Sequence, residues 1–227
     1  MKNKRGSHAG FAISFVIFIA FIIFVLNIIS PSIQVDSSKE SLSQNVQESI
    51  LEESITKIKE ISVKPEYKRP SENCLKSNSI KLWKNYTAKN QKGNILNSNS
   101  THIETSRNNF TKIYTVNISL KKTAQPSCYN STSKYESGIV KQKEIVSKQK
   151  LVELIGNYSN DYSNIKSNLN IPETNEFEFI FVLENGTRKN ATLQNDPRTQ
   201  IFAKSEPIVY INKNATKKHG TLETRVW

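Results

Sequence analysis

Between Phe11 and Ile29 the chain reads FAISFVIFIAFIIFVLNII, with no charged residue and only Ser14 and Asn27 polar. As a helix rising about 1.5 Å per residue, this run is about 28 Å long, close to the roughly 30 Å hydrocarbon core of a bilayer. A helix that is apolar on every side needs lipid or other apolar helices around it. A secretory signal peptide is the competing reading, but its apolar stretch is typically about 7 to 15 residues and ends in small residues at a cleavage site. Here the run is longer and ends in Ile28-Ile29-Ser30-Pro31 without an Ala-Xaa-Ala pattern. A transmembrane helix at 11–29, retained in the lipid bilayer, is therefore expected.

Orientation follows from the flanks. Lys2, Lys4 and Arg5 precede the run, and the next basic residue after it is Lys39. The bias of basic residues toward the cytoplasm makes 1–10 a basic cytoplasmic leader and places 30–227 outside the cell, on a single-pass membrane protein.

The leader Asn3-Lys4-Arg5-Gly6-Ser7, directly ahead of the apolar helix, resembles the class III signal peptide of archaeal type IV pilins. That resemblance implies a prepilin peptidase as partner and a cut between Gly6 and Ser7, with the hydrophobic helix staying on the mature chain. It also implies other pilin-like subunits as partners in a surface filament, since close-packed apolar helices can replace lipid contacts. Many bacterial pilins carry a glutamate five residues after the cut, where this chain has Phe11. The alternative is an uncleaved signal anchor on a permanently membrane-bound envelope protein whose exterior domain binds a glycan or protein partner. The same N-terminus combined with LVELIGNYSNDYSNIKSNLNIP and FEFIFVL also resembles archaeal surface proteins to which no function is attached.

Outside the membrane the pattern predicts an α+β protein: a helical stem at 30–64, then a head at 65–227 with an antiparallel sheet and one or two packed helices. Leu42, Val46, Ile50, Leu51, Ile55, Ile58 and Ile61 recur at steps of three and four over Ser37 to Ile61, with Asp36 to Ser38 as capping candidates and Pro65 as terminator. Pro31 marks a kink or a short break before this stem. The same apolar stripe equally suits a helix that covers the head's sheet.

In the head, Ile80 to Tyr86 and Phe110 to Leu120 read as extended. In the second, Tyr114, Val116, Ile118 and Leu120 form an apolar face opposite a wet face of Ile113, Thr115, Asn117 and Ser119. Gly93-Asn94 and Asn97 to Thr101 read as loop. Ser147 to Leu169 predicts one helix, N-capped by Ser147 and stopped by Pro172, with a stripe of Leu151, Leu154, Ile155, Tyr158, Tyr162, Ile165 and Leu169. Phe177, Phe179, Phe181 and Leu183 alternate, and Asn185-Gly186 predicts a type I′ turn returning through Thr187 to Leu193. Pro207 to Asn212 and Thr221 to Trp227 predict a second hairpin closing the sheet.

The chemistry expected of the exterior part is modification rather than catalysis. Asn-Xaa-Ser/Thr acceptor motifs occur at Asn85, Asn99, Asn109, Asn117, Asn130, Asn157, Asn185, Asn190 and Asn214. That is roughly twice what random pairing of the chain's Asn with its Ser and Thr would produce, although an Asn- and Lys-rich composition alone also raises the count. Cys74 and Cys128 are the two cysteines, and in an exterior compartment a pair is expected to bridge.

No cofactor, metal or catalytic residue is expected. His8, His102 and His219 are isolated in sequence, and only Asp36, Asp161 and Asp196 are aspartates. Glu48, Glu52, Glu53 and Glu60 read as the solvated side of the stem, paired with Lys57 and Lys59. The net charge of +12 includes Lys121-Lys122, Lys141, Lys143, Lys148, Lys150 and Lys217-Lys218, which could attract acidic glycans, anionic surfaces or extracellular DNA, although solvated lysine is the commoner explanation. No arginine cluster with interleaved aromatics makes a nucleic-acid groove, so specific nucleic-acid binding is not expected, and no small-molecule ligand is identified.

Overall fold

The computed structural model describes residues 6–80, 85–105, 109–121, 123–193 and 200–227, with the side chains of 6–9, 27–38 and 79 outside the described set. Helix α1 spans Gly6–Ser54, and its backbone is continuous through Pro31 and 36–38. The break at Pro31 and the separate stem capped near Asp36 are thus absent; a helix can run past a proline at the expense of one backbone hydrogen bond. The basic residues of the leader, at 2–5, lie outside the described residues.

The stem ends earlier than its periodicity suggests. At Ile55 the chain turns into strand β1 (Ile55–Pro65), which is the centre of the fold rather than the last turns of a helix. Ile58 faces Val116 on one side of the sheet, whereas Ile61 faces Ile113 on the other. Both isoleucines are buried because the covered face changes partway along the strand, so apolar residues three apart imitate a helical step.

The remaining elements follow in order: β2 (Glu72–Lys76), a 3-10 turn at Ser77–Ser79, β3 (Tyr86–Lys89), β4 (His102–Glu104), β5 (Thr111–Val116), β6 (Asn130–Thr132) and β7 (Tyr135–Ser147). Then come α2 (Lys148–Tyr158), α3 (Tyr162–Asn168), β8 (Phe177–Val182), β9 (Arg188–Ala191), β10 (Phe202–Ile211) and β11 (Lys217–Val226). The protein is α+β, with a large eight-stranded sheet in the order β3-β5-β1-β7-β10-β11-β8-β9 and a small one in the order β4-β2-β6. The large sheet is antiparallel except where β7 meets β10, at Tyr210–Val146 and Ile211–Ser147. The β10–β11 hairpin predicted at the tail therefore joins two half-sheets in the middle instead of closing an edge.

Three apolar clusters hold the head together. The largest lies between the β10-β11-β8-β9 half and the helices: Val46 and Ile50 of α1, Leu151 and Tyr158 of α2 and Ile165 of α3 pack on Phe177, Phe179, Phe181, Tyr210, Leu222 and Val226. Tyr158 stands edge-on to Phe177 and Phe179, with ring centroids 5.3 and 5.8 Å away, and its hydroxyl donates to the Phe177 carbonyl. A second cluster joins Ile58, Val116, Ile118, Leu120 and Ile145 to Ile211 and Ala215. The third packs Ile61, Val63, Ala88 and Ile113 of the large sheet against Leu75, Ile80 and Ile103, so the small sheet and the turn beside it cover that face.

Three local expectations are corrected by the structure, and a fourth falls largely outside the described residues. Ile113 and Thr115 are fully buried, so the face of β5 read as wet is the one under the small sheet, and the strand stops at Val116, short of Leu120. The Ser147–Leu169 helix is two: Ser147 does cap α2 by accepting from the Lys150 amide, but the poor helix formers Ser159-Asn160-Asp161 turn the chain before α3. The β8–β9 turn is not type I′, because only Gly186 has a left-handed backbone (φ 79°); the Asn185 side chain instead accepts from the Thr187 amide. Of the extended segment Ile80 to Tyr86, residues 81–84 lie outside the described residues, and Tyr86 opens β3.

Candidate functional site

Helix α1 is divided into two environments. Every described side chain from Gly10 to Leu26 is exposed except half-buried Val25, with Phe11 at 76% and Val16 at 65%. Toward its other end the helix belongs to the core. Val46 and Ile50 are buried, the Gln47 Nε2 donates to the Leu222 carbonyl at 3.0 Å, and the Lys39 ammonium sits 5.7 Å from the Phe202 ring centroid. The last turns of α1 are thereby fastened across β10 and β11. Among the described residues, no helix is long and apolar enough to cross a membrane; described side chains of the apolar run end at Leu26. Gly6 and Ser7, the residues of the expected cut, form the first turn of α1, with side chains outside the described set.

The asparagines of the nine Asn-Xaa-Ser/Thr motifs are spread over the head. Asn85, Asn109, Asn117, Asn130, Asn157, Asn185 and Asn190 are exposed, and Asn99 and Asn214 are half-buried. Asn99 is the most constrained: its Oδ1 accepts from the Thr101 amide and hydroxyl at 3.0 Å each and from the His102 amide at 2.8 Å, while its Nδ2 donates to Gln125. Asn130 donates to the Ser71 hydroxyl.

Two acceptors share one turn design. In Leu183–Thr187 and Asn212–Thr216 the first residue's amide donates to the fifth residue's carbonyl and the fourth residue's amide donates back to the first. The fourth residue is left-handed in both, Gly186 (φ 79°) and Ala215 (φ 51°). This puts Asn185 and Asn214 at the tips of adjacent hairpins, each two residues before the threonine of its motif.

Cys74, fully buried in β2, and Cys128 form a disulfide, with sulfurs 2.05 Å and Cα atoms 5.6 Å apart. It ties the small sheet to the loop before β6. The Asn73 side chain reinforces the tie, donating to the Ser127 carbonyl and accepting from the Tyr129 amide.

Buried ionisable groups act as structural bolts. Lys89 of β3 donates to the Ala215 carbonyl at 2.9 Å and to the Thr216 hydroxyl at 2.8 Å, with its ammonium 5.3 Å from the Tyr114 ring centroid. Burial pushes the Lys89 ammonium below the usual lysine range, opposed by nearby Glu60. Tyr158 and Tyr162 are pushed well above the usual phenol range, chiefly by burial.

Glu60 was expected on the solvated side of the stem. It lies on β1 instead and bridges Lys112 and Lys143, at 3.7 Å from each. Glu48, Glu52 and Glu53 do lie exposed on α1, and Glu48 accepts from Gln44. Lys57 pairs with Glu144 across the sheet rather than along a helix. His102 and His219 sit on separate sheets, and His8 has its side chain outside the described set. Among the described residues, no group of three His, Cys, Asp or Glu converges on a metal-sized site.

Sequence reasoning missed two features. The strand β7 hides in YESGIVKQKEIVS because residues 136–142 are exposed on both faces, which removes any alternation. A lysine-lined cleft gathers Lys148, Lys189 and Lys213 from three distant segments, and no local signal marks it. Comparison with known proteins adds no relative: no family model, curated protein or solved structure matches this chain.

Proposed function

We propose that the chain is a pilin-like subunit or minor pilin, a non-catalytic structural or adhesion protein of the cell surface held by its N-terminal helix. The observation that carries the reading is the contrast within α1: an apolar half whose described side chains stand exposed apart from half-buried Val25, continuous with a half that is built into the head. Exposed apolar area on this scale needs a covering phase, and Phe11–Ile29 has the length and composition for lipid or for a bundle of like helices. Because the helix is locked to β10 and β11 by Val46, Ile50 and Gln47, a load on the helix is passed to the centre of the sheet. The basic leader supports cytoplasmic placement of residues 1–10, cleavage by a prepilin peptidase between Gly6 and Ser7, and an exterior head that carries glycans.

Mass spectrometry of the N-terminus of native protein from cell membranes and sheared surface filaments tests this. A chain starting at Ser7 and present in filaments is the expected result; a chain retaining the leader and absent from filaments overturns the pilin reading.

A second reading is favoured by one observation. Phe11, at the place where a bacterial pilin carries a glutamate, is an exposed apolar side chain with no charge to pair with a neighbouring subunit. In that case the protein is a permanently anchored envelope protein whose head binds a glycan or protein partner.

A further inference from the structure

At one end of the large sheet, where β7 hands over to α2 and the β8–β9 and β10–β11 turns come together, lies a cleft of about 520 Å³. Lys148 reaches it from the first turn of α2, Lys189 from the edge strand β9 and Lys213 from the β10–β11 turn. Among the described residues none of these three lysines has a carboxylate partner, whereas Lys57, Lys64, Lys112, Lys143, Lys166 and Lys218 all do. Against these three ammonium groups the described residues of the wall set one carboxylate, Glu153, which accepts from the Gln149 amide at 2.7 Å and still counts as one negative charge. The balance of the cleft is therefore cationic. The dipole of α2, whose first turn contributes Lys148 and Gln149 to the wall, adds positive potential there.

The rest of the wall is amide and aliphatic: Asn212, Asn214 and Val152. The Asn212 Oδ1 already accepts from the Asn214 and Thr216 amides, at 2.9 and 3.0 Å, which leaves its Nδ2 to donate to a hydroxyl. The Asn214 side-chain amide can both donate and accept, and Val152 offers an apolar patch for a C–H face. Lysines as point charges hold carboxylate or sulfate without demanding planar geometry. The volume lies within the usual range for small-ligand sites and suits a short ligand rather than a long polymer track.

We propose that this cleft binds an anionic saccharide, one or two sugar units bearing carboxylate or sulfate groups, with Lys148, Lys189 and Lys213 holding the acid groups and Asn212 and Asn214 the hydroxyls. The site stands independently of whether the chain polymerises. Asn214 in the cleft wall also opens an Asn-Xaa-Thr motif, so an oligosaccharide attached there would occupy the site.

The test uses the full chain made without glycosylation and held in detergent micelles, titrated calorimetrically with short oligogalacturonate, its methyl ester, inorganic phosphate and duplex DNA. Saturable binding of oligogalacturonate is expected. It should weaken about tenfold in Lys148→Gln/Lys189→Gln/Lys213→Gln, disappear with the methyl ester, and exceed that of inorganic phosphate. Thermal unfolding checks that the triple variant folds; the exposed single change Lys213→Gln gives a second reading if it does not. Absence of binding, equal binding by wild type and variants, or phosphate binding as tightly as the oligomer overturns the proposal. DNA displacing the oligomer from the cleft at lower concentration also overturns it, in favour of a nucleic-acid surface.

Discussion

The Lys89 ammonium, on an edge strand of the large sheet, donates to the backbone carbonyl of Ala215, 126 positions along the chain and at the tip of the β10–β11 hairpin. The bond ties the edge strand β3 to the tip of a hairpin from the middle of the sheet, with Ile58, Val116, Ile211 and Ala215 packed beside it. Replacing Lys89 by Met keeps most of the aliphatic bulk but leaves the Ala215 carbonyl without its donor. Loss of about 1–3 kcal/mol is expected, read as a lower midpoint of urea unfolding with an unchanged slope. A midpoint equal to wild type would remove Lys89 from its structural role.

Burial of the phenols sets the alkaline limit of stability. Tyr158 and Tyr162 ionise at higher pH in the folded chain than in the unfolded one. Above the ordinary tyrosine value of about 10 the unfolded state releases protons that the folded state keeps. Their contribution is full below that value and is lost as pH rises beyond it. Lys89 acts in the opposite sense, since its lowered value makes stability rise with pH up to the ordinary lysine value. Tyr86 and Tyr114 are raised in the same way by burial, so with four tyrosines against one lysine, thermal midpoints should fall above about pH 10, and Tyr158→Phe should flatten that fall. An equally steep fall in the variant would assign it elsewhere.

The Cys74–Cys128 bridge closes a loop across sequence separation 54. In the chain-entropy model, removing it by a double change to serine should cost up to about 4 kcal/mol. The loss should appear as a lower denaturant midpoint, matched by wild type kept in reductant. Midpoints unchanged in both the reduced wild type and the serine variant would remove the bridge from the stability of the fold.

Two glycine changes of the same size should move stability in opposite directions. Gly186 is left-handed with open space around it, so Gly186→Ala meets no atom yet should cost about 1 kcal/mol through backbone strain alone. Gly156 lies exposed inside α2, also in open space, and Gly156→Ala should add about 0.5–1 kcal/mol. Calorimetric midpoints of the two variants test the pair, and a shift of the same sign in both would contradict the assigned conformations.

What could be read from the residues followed from local rules. Phe177, Phe179 and Phe181 alternate because only one face of β8 meets the helices. Ser147 sits where α2 needs an acceptor for its first amides. Strand β1 was misread because its covered face switches between Ile58 and Ile61, which spaces isoleucines as a helix would. Ile113 and Thr115 looked wet because the small sheet over them comes from segments up to about forty residues away in sequence, and nothing local announces such a lid. The cleft of Lys148, Lys189 and Lys213 was invisible for the same reason, since three turns and ends must first be folded onto one corner. The acceptor asparagines were readable as motifs, but the shared turn that presents Asn185 and Asn214 was not.

The central claim is that the apolar helix stays on the mature chain, with a glycan-bearing head beyond it. Intact-mass measurement of the native protein from the particulate fraction addresses it most directly. The account predicts the mass of the chain from Ser7 to Trp227 plus whole glycan increments. A chain lacking residues 11–29, or an unmodified full-length polypeptide recovered from the soluble cytosol, would contradict it.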